Sequence, residues 1–97
     1  MNKQLTGKDI DNLFKAILTL KTEDECRRFF DDLCTIPELQ SMSQRFDVAL
    51  MLDDDKIYTD IAAKTGASTA TISRVNRSLN YGSDGYKMVI ERLKNNE

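Results

Sequence analysis

The residues best suited to recognition chemistry lie at positions 69–77 of the 97-residue chain. At about 100° per residue, one face of a helix here would carry small, hydroxyl and guanidinium groups: Ala70, Ser73, Arg74 and Arg77. Thr69 and Thr71 flank the first turn. Arginine can contact guanine edges or phosphates, Ser and Thr can hydrogen-bond to either, and alanine can contact a thymine methyl group. This face therefore predicts entry into the major groove of double-stranded DNA.

The charge around this face supports contact with a polyanion. An ordinary solvated helix face would mix acidic with basic residues, yet no Asp or Glu occurs at residues 61–82. The whole chain has a net charge of −2, but residues 1–55 carry −5 and residues 56–97 carry +3. An acidic protein with a local basic face can still bind DNA, because phosphate contacts are screened over about 8–10 Å.

The element that must position this face is a helix-turn-helix at residues 58–79. We predict a first helix over Tyr58–Thr65, a sharp stop at Gly66, a cap at Ser68 and a second helix over residues 69–79. The second helix has an apolar stripe with spacing i, i+3 and i+7: Ile72, Val75 and Leu79. Helical hairpins that do not bind DNA can share this pattern, so a protein-interaction module remains an alternative.

The rest of the chain is also predicted to be helical, giving an all-α fold with about six helices. Thr22 and Glu25 form a capping box at the start of the second helix, and Thr35 precedes the third. Ser83 is expected to cap the final helix. Near its end the third helix is apolar around much of its circumference, which indicates that other helices surround it, either of this chain or of a second chain.

The length indicates one domain over residues 1–97. Within it we predict a helical dimerisation core at residues 5–52, the helix-turn-helix at 58–79 and a C-terminal helix at 83–95. Because short helices in a small chain bury little apolar surface, we expect a homodimer.

Catalysis and metal binding are not indicated. The chain lacks histidine, a Gly-rich phosphate loop and a nucleophile elbow, so we predict no enzyme, catalytic residue, metal site or cofactor. Residues 53–55 are three consecutive aspartates without the spacing of a calcium loop, and a solvated turn is expected. Cys26 and Cys34 are expected to be buried free thiols on one apolar stripe. No long apolar run or signal peptide is found, so a cytoplasmic protein without membrane contact is expected.

Two long runs resemble the Trp-repressor superfamily: CTIPELQSMSQRFDVALML and YTDIAAKTGASTATISRVNRSLNYG. GASTATISR is similar to the repressor's GAGIATITR, and residues 5–33 resemble the YerC/YecD group of this superfamily in particular. The resemblance implies an intertwined homodimer whose helix-turn-helix contacts operator DNA. It maps the base-contacting residues onto Thr69, Ala70, Thr71 and Ser73. Ser68, at the start of the same helix, is also predicted to be a DNA-binding residue, as are Arg74 and Arg77. The resemblance also maps a DNA-contacting arginine onto Thr59, so the preferred DNA sequence should differ from the repressor's.

The same resemblance suggests part of a small-molecule site. The arginines that enclose the repressor's corepressor tryptophan correspond to Arg45 and Arg74, and the threonine before the third helix corresponds to Thr35. The glycine against which the indole packs is replaced by Val75, which should fill part of the volume the indole needs. We therefore predict a homodimeric, DNA-binding transcriptional regulator. The alternatives are an interaction module without DNA binding and a regulator that responds to a tryptophan-like effector.

Overall fold

A computed structural model describes residues 7–96 of the chain. The described residues form six α-helices and no strand: α1 Lys8–Ile17, α2 Glu23–Leu33, α3 Ile36–Asp53, α4 Tyr58–Thr65, α5 Thr69–Tyr81 and α6 Gly85–Asn95. The predicted all-α fold is confirmed. The chain divides into a first unit that ends at Ile36 and a second that begins at Pro37. Residues 5 and 6 of the predicted dimerisation core lie outside the described residues.

The first unit contains two strongly amphipathic helices, and neither α1 nor α2 has a fully buried residue. The predicted capping box at α2 is present in a shifted form. The Thr22 hydroxyl accepts the Glu25 N–H at 3.1 Å, while the Glu25 carboxylate accepts the N–H of Lys21 at 2.8 Å. Both bonds satisfy N–H groups at the helix start, which the helix itself leaves without partners.

The predicted burial of the two cysteines is wrong. Both are free thiols, but Cys26 is exposed and Cys34 is half-buried. Cys34 follows α2 in an extended conformation, so the two residues do not lie on one helical stripe. The other apolar residues of α1 and α2 are also not fully buried, because no other part of the described chain fully covers the apolar faces of these two helices.

The second unit has a compact apolar core drawn from all four of its helices and from the α4–α5 turn. Eight residues form it: Val48, Ala49, Ile61, Ala67, Ile72, Val75, Leu79 and Ile90. Helix α5 packs against both α4 and α6. The prediction that α3 is enclosed holds for Val48 and Ala49, whereas Met42, nearer the start of α3, stays exposed. Burial of the inner side of α5 fixes which side faces outward.

The predicted cap of the last helix is also wrong. Asp84, not Ser83, occupies the cap position, and it makes no side-chain cap hydrogen bond. Asp84 has a positive φ of 63°, so the backbone reverses there and α6 begins at Gly85, two residues after the predicted start. Gly82 ends α5, and a Cβ on it would collide with the carbonyl oxygen of Ser78. The chain path between α5 and α6 therefore depends on a residue without a side chain.

The three consecutive aspartates are only partly a solvated turn. Asp53 is the last residue of α3 and accepts a hydrogen bond from the Lys94 ammonium group at 2.9 Å, which links α3 to α6. Asp54 lies 3.5 Å from the ammonium group of Lys56. Within residues 7–96, no three His, Cys, Asp or Glu side chains are grouped so that they could hold a metal ion. No described helix is long and apolar enough to cross a bilayer.

Candidate nucleic-acid interface

The turn between α4 and α5 has the predicted geometry. Helix α4 ends at Thr65, and Gly66 adopts a left-handed conformation with φ of 76°. The Gly66 N–H donates to the Ala62 carbonyl at 2.9 Å, which completes the last turn of α4. A residue with a side chain would be strained at this φ. Glycine therefore permits the abrupt change of direction that aims α5.

Thr65 adds support to this turn that the sequence did not reveal. Its hydroxyl donates to the Ile61 carbonyl at 2.8 Å and accepts the Ala67 N–H at 3.1 Å. The side-chain amide of Gln44 on α3 donates to the Thr65 carbonyl at 3.1 Å. These bonds satisfy polar groups between the end of α4 and the start of α5. The bond from Gln44 also holds the turn to α3. In the sequence, the only indication of these hydrogen bonds is the threonine directly before Gly66.

Ser68 caps α5 as predicted. Its side chain accepts the Thr71 N–H at 3.1 Å, and its hydroxyl donates to the Thr71 hydroxyl oxygen at 3.1 Å. Both side chains are therefore ordered by one another before any ligand binds. Thr71 is half-buried and retains its own hydroxyl hydrogen as a donor.

Helix α5 separates a buried side from an exposed side. Ile72, Val75 and Leu79 are buried, and Val75 is only 2% exposed. The predicted recognition residues other than Thr71 are exposed: Thr69, Ala70, Ser73, Arg74 and Arg77. The helix continues to Tyr81, two residues beyond the predicted end. The structure thus places the predicted small, hydroxyl and basic groups on one accessible face.

The arginines on this face differ from those elsewhere in the chain. On α2, Arg27 lies 3.0 Å from Glu23 and Arg28 lies 3.9 Å from Asp24, each one turn away. Arg74 and Arg77 make no ion pair with any residue in the range 7–96. Because no acidic residue neighbours them along residues 61–82, both guanidinium groups are available to an external anion.

The remaining predicted site residues lie on other elements. Thr59 is exposed in the first turn of α4, and Thr35 is exposed just before α3. Arg45 is half-buried on α3 and donates to the Ser41 hydroxyl at 2.9 Å, one turn earlier in the same helix.

Comparison with known proteins identifies the family. Residues 8–94 match the family described as Trp repressor protein. The chain belongs to the Trp repressor family. It is 57% identical over 94 residues to the uncharacterized protein YerC of Bacillus subtilis, covering 97% of this chain and 90% of YerC.

Solved structures of the family agree in fold. A TrpR-like protein from Eubacterium eligens is 64% identical, with a TM-score of 0.86 and 89% of each chain covered. A candidate Trp repressor from Staphylococcus aureus is 53% identical, with a TM-score of 0.89, covering 92% of this chain and 89% of its own. The resemblance to Trp-repressor-like proteins expected from the sequence is confirmed.

Proposed function

We propose that the protein is a sequence-specific DNA-binding transcriptional regulator that acts as a homodimer through its helix-turn-helix. The observation that carries the proposal is the outer face of α5. Two exposed arginines there have no acidic partner within residues 7–96, and they share the face with alanine and hydroxyl groups. A free cationic face beside short side chains fits the major groove, where arginine can contact guanine edges and alanine or threonine can contact a thymine methyl group.

The residues divide into groups that specify sequence and groups that provide affinity. Those at the start of a recognition helix contact base edges, which in this chain are Thr69, Ala70, Thr71 and Ser73. Arg74 and Arg77 contact phosphates or guanine edges. Ser68 holds the first turn of α5 in place, and Thr59 lies at the start of α4 with a short uncharged side chain. Thr59 cannot replace a DNA-contacting arginine, so the preferred sequence should differ from that of the Trp repressor.

Apolar surface that the described part of one chain leaves uncovered supports the proposed homodimer. Helices α1 and α2 bury none of their residues fully. Large apolar side chains are exposed along the chain: Phe14, Leu18, Leu33, Ile36, Met42, Met88, Val89 and Leu93. A second copy would cover such faces and place two α5 helices about one DNA turn, roughly 34–36 Å, apart.

Selection from a random pool of duplex DNA tests the proposal. The wild-type protein should enrich one sequence with two related, inverted half-sites. The Arg74→Ala/Arg77→Ala variant should enrich nothing. Arg27→Ala/Arg28→Ala is the matched control, because it removes two exposed arginines that are paired with acids on α2. If the wild type enriches no sequence, or the α5 variant enriches as well as the control, the proposal is wrong.

Sedimentation equilibrium tests the assembly. The chain mass is 11.1 kDa, so the dimer should appear at about 22 kDa across the micromolar range. A folded monomer throughout that range would contradict the homodimer.

A protein-interaction module is the second candidate, and the net charge of −2 favours it. Experiments with duplex DNA distinguish the two candidates. DNA binding should weaken steeply as salt rises, because cations return to the phosphates. An interaction module would leave the random pool without any enriched sequence.

A further inference from the structure

Among residues 7–96, Tyr81 is the most exposed of the large apolar and aromatic side chains: 87% of it is accessible. It is the last residue of α5, and its hydroxyl makes no hydrogen bond to any residue in the described range. Burial of an aromatic side chain usually contributes to the stability of a fold. At 87% exposure Tyr81 makes no such contribution within the described residues, so its side chain is accessible to a second molecule.

The position of Tyr81 on α5 places it on the proposed DNA face. Seven residues separate it from Arg74, which at 3.6 residues per turn leaves it about 20° away around the helix axis. Four residues separate it from Arg77, which leaves it about 40° away on the other side. Around the helix axis, Tyr81 thus lies between the two unpaired arginines. It is on the side opposite the buried Ile72 and Leu79.

The length of α5 determines what Tyr81 can reach. Thr69 and Tyr81 are twelve residues apart, or about 18 Å along the axis. The major groove is only about 12 Å wide. When the start of a recognition helix contacts base edges, its far end must therefore emerge beside a sugar–phosphate strand. A tyrosine hydroxyl at that end is a donor of the kind that binds phosphate oxygens in protein–DNA complexes.

The neighbouring polar side chain is not available for this contact. The Asn80 side-chain amide donates to the carbonyl oxygen of Asn76 at 3.0 Å and to its side-chain oxygen at 2.9 Å. The C-terminal end of a helix also carries a partial negative charge, which makes its backbone a poor phosphate ligand. A long, neutral donor that extends past the helix end avoids that repulsion.

We propose that the Tyr81 hydroxyl donates a hydrogen bond to a DNA phosphate at the outer edge of each half-site. The inference rests on the proposed function, since it extends the contact face of α5 by one turn beyond Arg77. The contact fixes the angle at which α5 crosses the groove, and it adds affinity without specifying a base.

Tyr81→Phe tests the proposal, because it removes one oxygen atom and keeps the ring. Binding should be measured by fluorescence anisotropy with the duplex that the wild type selects from a random pool. Each half-site should lose about three- to tenfold in affinity. The salt dependence should stay unchanged, because a neutral donor displaces no cation. Tyr86→Phe is the matched control, since Tyr86 is half-buried against Phe46 on another face of the unit, with ring centroids 6.4 Å apart.

A scan with methylphosphonate groups identifies the phosphate. Neutralising the contacted phosphate should lower the DNA affinity of the wild type. The same change should leave the DNA affinity of Tyr81→Phe unaltered. If Tyr81→Phe binds like the wild type, or if no phosphate shows this coupling, the inference falls and the proposed function stands. Weaker self-association of Tyr81→Phe with unchanged DNA affinity per dimer also overturns it, because Tyr81 would then contact the second copy. If the wild type selects no DNA, both proposals fall.

Discussion

Replacing Arg77 by alanine should flatten the salt dependence of DNA binding. Arg77 is exposed on the outer face of α5, and no acid within residues 7–96 pairs with it. Its removal therefore breaks no internal ion pair, and Ala is a good helix former. We expect the variant to fold like the wild type and to differ only in its contact with the polyanion.

The size of the effect follows from counting phosphate contacts. A dimer carries two copies of Arg77, so the variant complex loses two contacts. At about 0.9 per phosphate, the slope of log K against log salt should become shallower by about 1.8. Over a fourfold rise in salt, from about 50 to about 200 mM, the wild type should lose about 12-fold more affinity than the variant.

Fluorescence anisotropy of the selected duplex, measured at several salt concentrations, gives both slopes. Arg27→Ala is the matched control, because it removes an exposed arginine that lies on α2 and pairs with Glu23 at 3.0 Å. The control should retain the wild-type slope. Weaker binding with an unchanged slope would show that Arg77 does not contact a phosphate. No change in either quantity would show that the outer face of α5 is not the DNA-binding face.

Three further predictions concern the ligand, the sequence preference and the fold. Calorimetric titration with L-tryptophan at micromolar concentration should give no one-per-chain isotherm. Val75 is 2% exposed, and forcing an indole against it should cost about 1–3 kcal/mol; a clear isotherm would show that the valine leaves room. Thr69→Val, which replaces a hydroxyl by a methyl group, should change the sequence selected from a random pool without changing the salt dependence; an unchanged selected sequence would remove Thr69 from base contact. Gly82→Ala should lower the free energy of unfolding in urea by more than about 1 kcal/mol. The reason is that the added methyl group meets the Ser78 carbonyl oxygen. Gly85→Ala, where a Cβ meets nothing within 4 Å, should not destabilise the fold, and equal effects of the two glycine substitutions would refute this account.

The helix-turn-helix could be predicted closely because local signals agree there. A glycine that needs positive φ, a serine cap and an apolar stripe each indicate the same turn. The observed α4, the left-handed Gly66 and the cap from Ser68 to Thr71 all match the prediction. The exposed positions on α5 followed directly from helical geometry once its buried stripe was recognised.

The errors arose where local chemistry competed with longer-range contacts. Ser83 is a good cap by residue type, but the reversal at Asp84 moves the helix start beyond it. The burial of Cys26 was predicted from an apolar pattern, and a pattern shows which face is apolar without showing whether the same chain covers it. The bond from Gln44 to Thr65 spans 21 residues, so no short-range spacing could have indicated it.

The ordered turn has a thermodynamic consequence for the proposed association with DNA. The backbone between the two helices is already fixed by hydrogen bonds: the hydroxyl oxygens of Thr65 and Ser68 accept backbone N–H groups, and the Gln44 amide donates to the Thr65 carbonyl. Complex formation therefore needs little coupled folding in this segment, and the entropy of ordering it has been lost before the partners meet. The heat-capacity change of binding should then reflect the apolar area buried at the interface alone. Weakening the turn, for example through Gln44→Ala, should make that heat-capacity change more negative, because the looser segment would have to order as it binds.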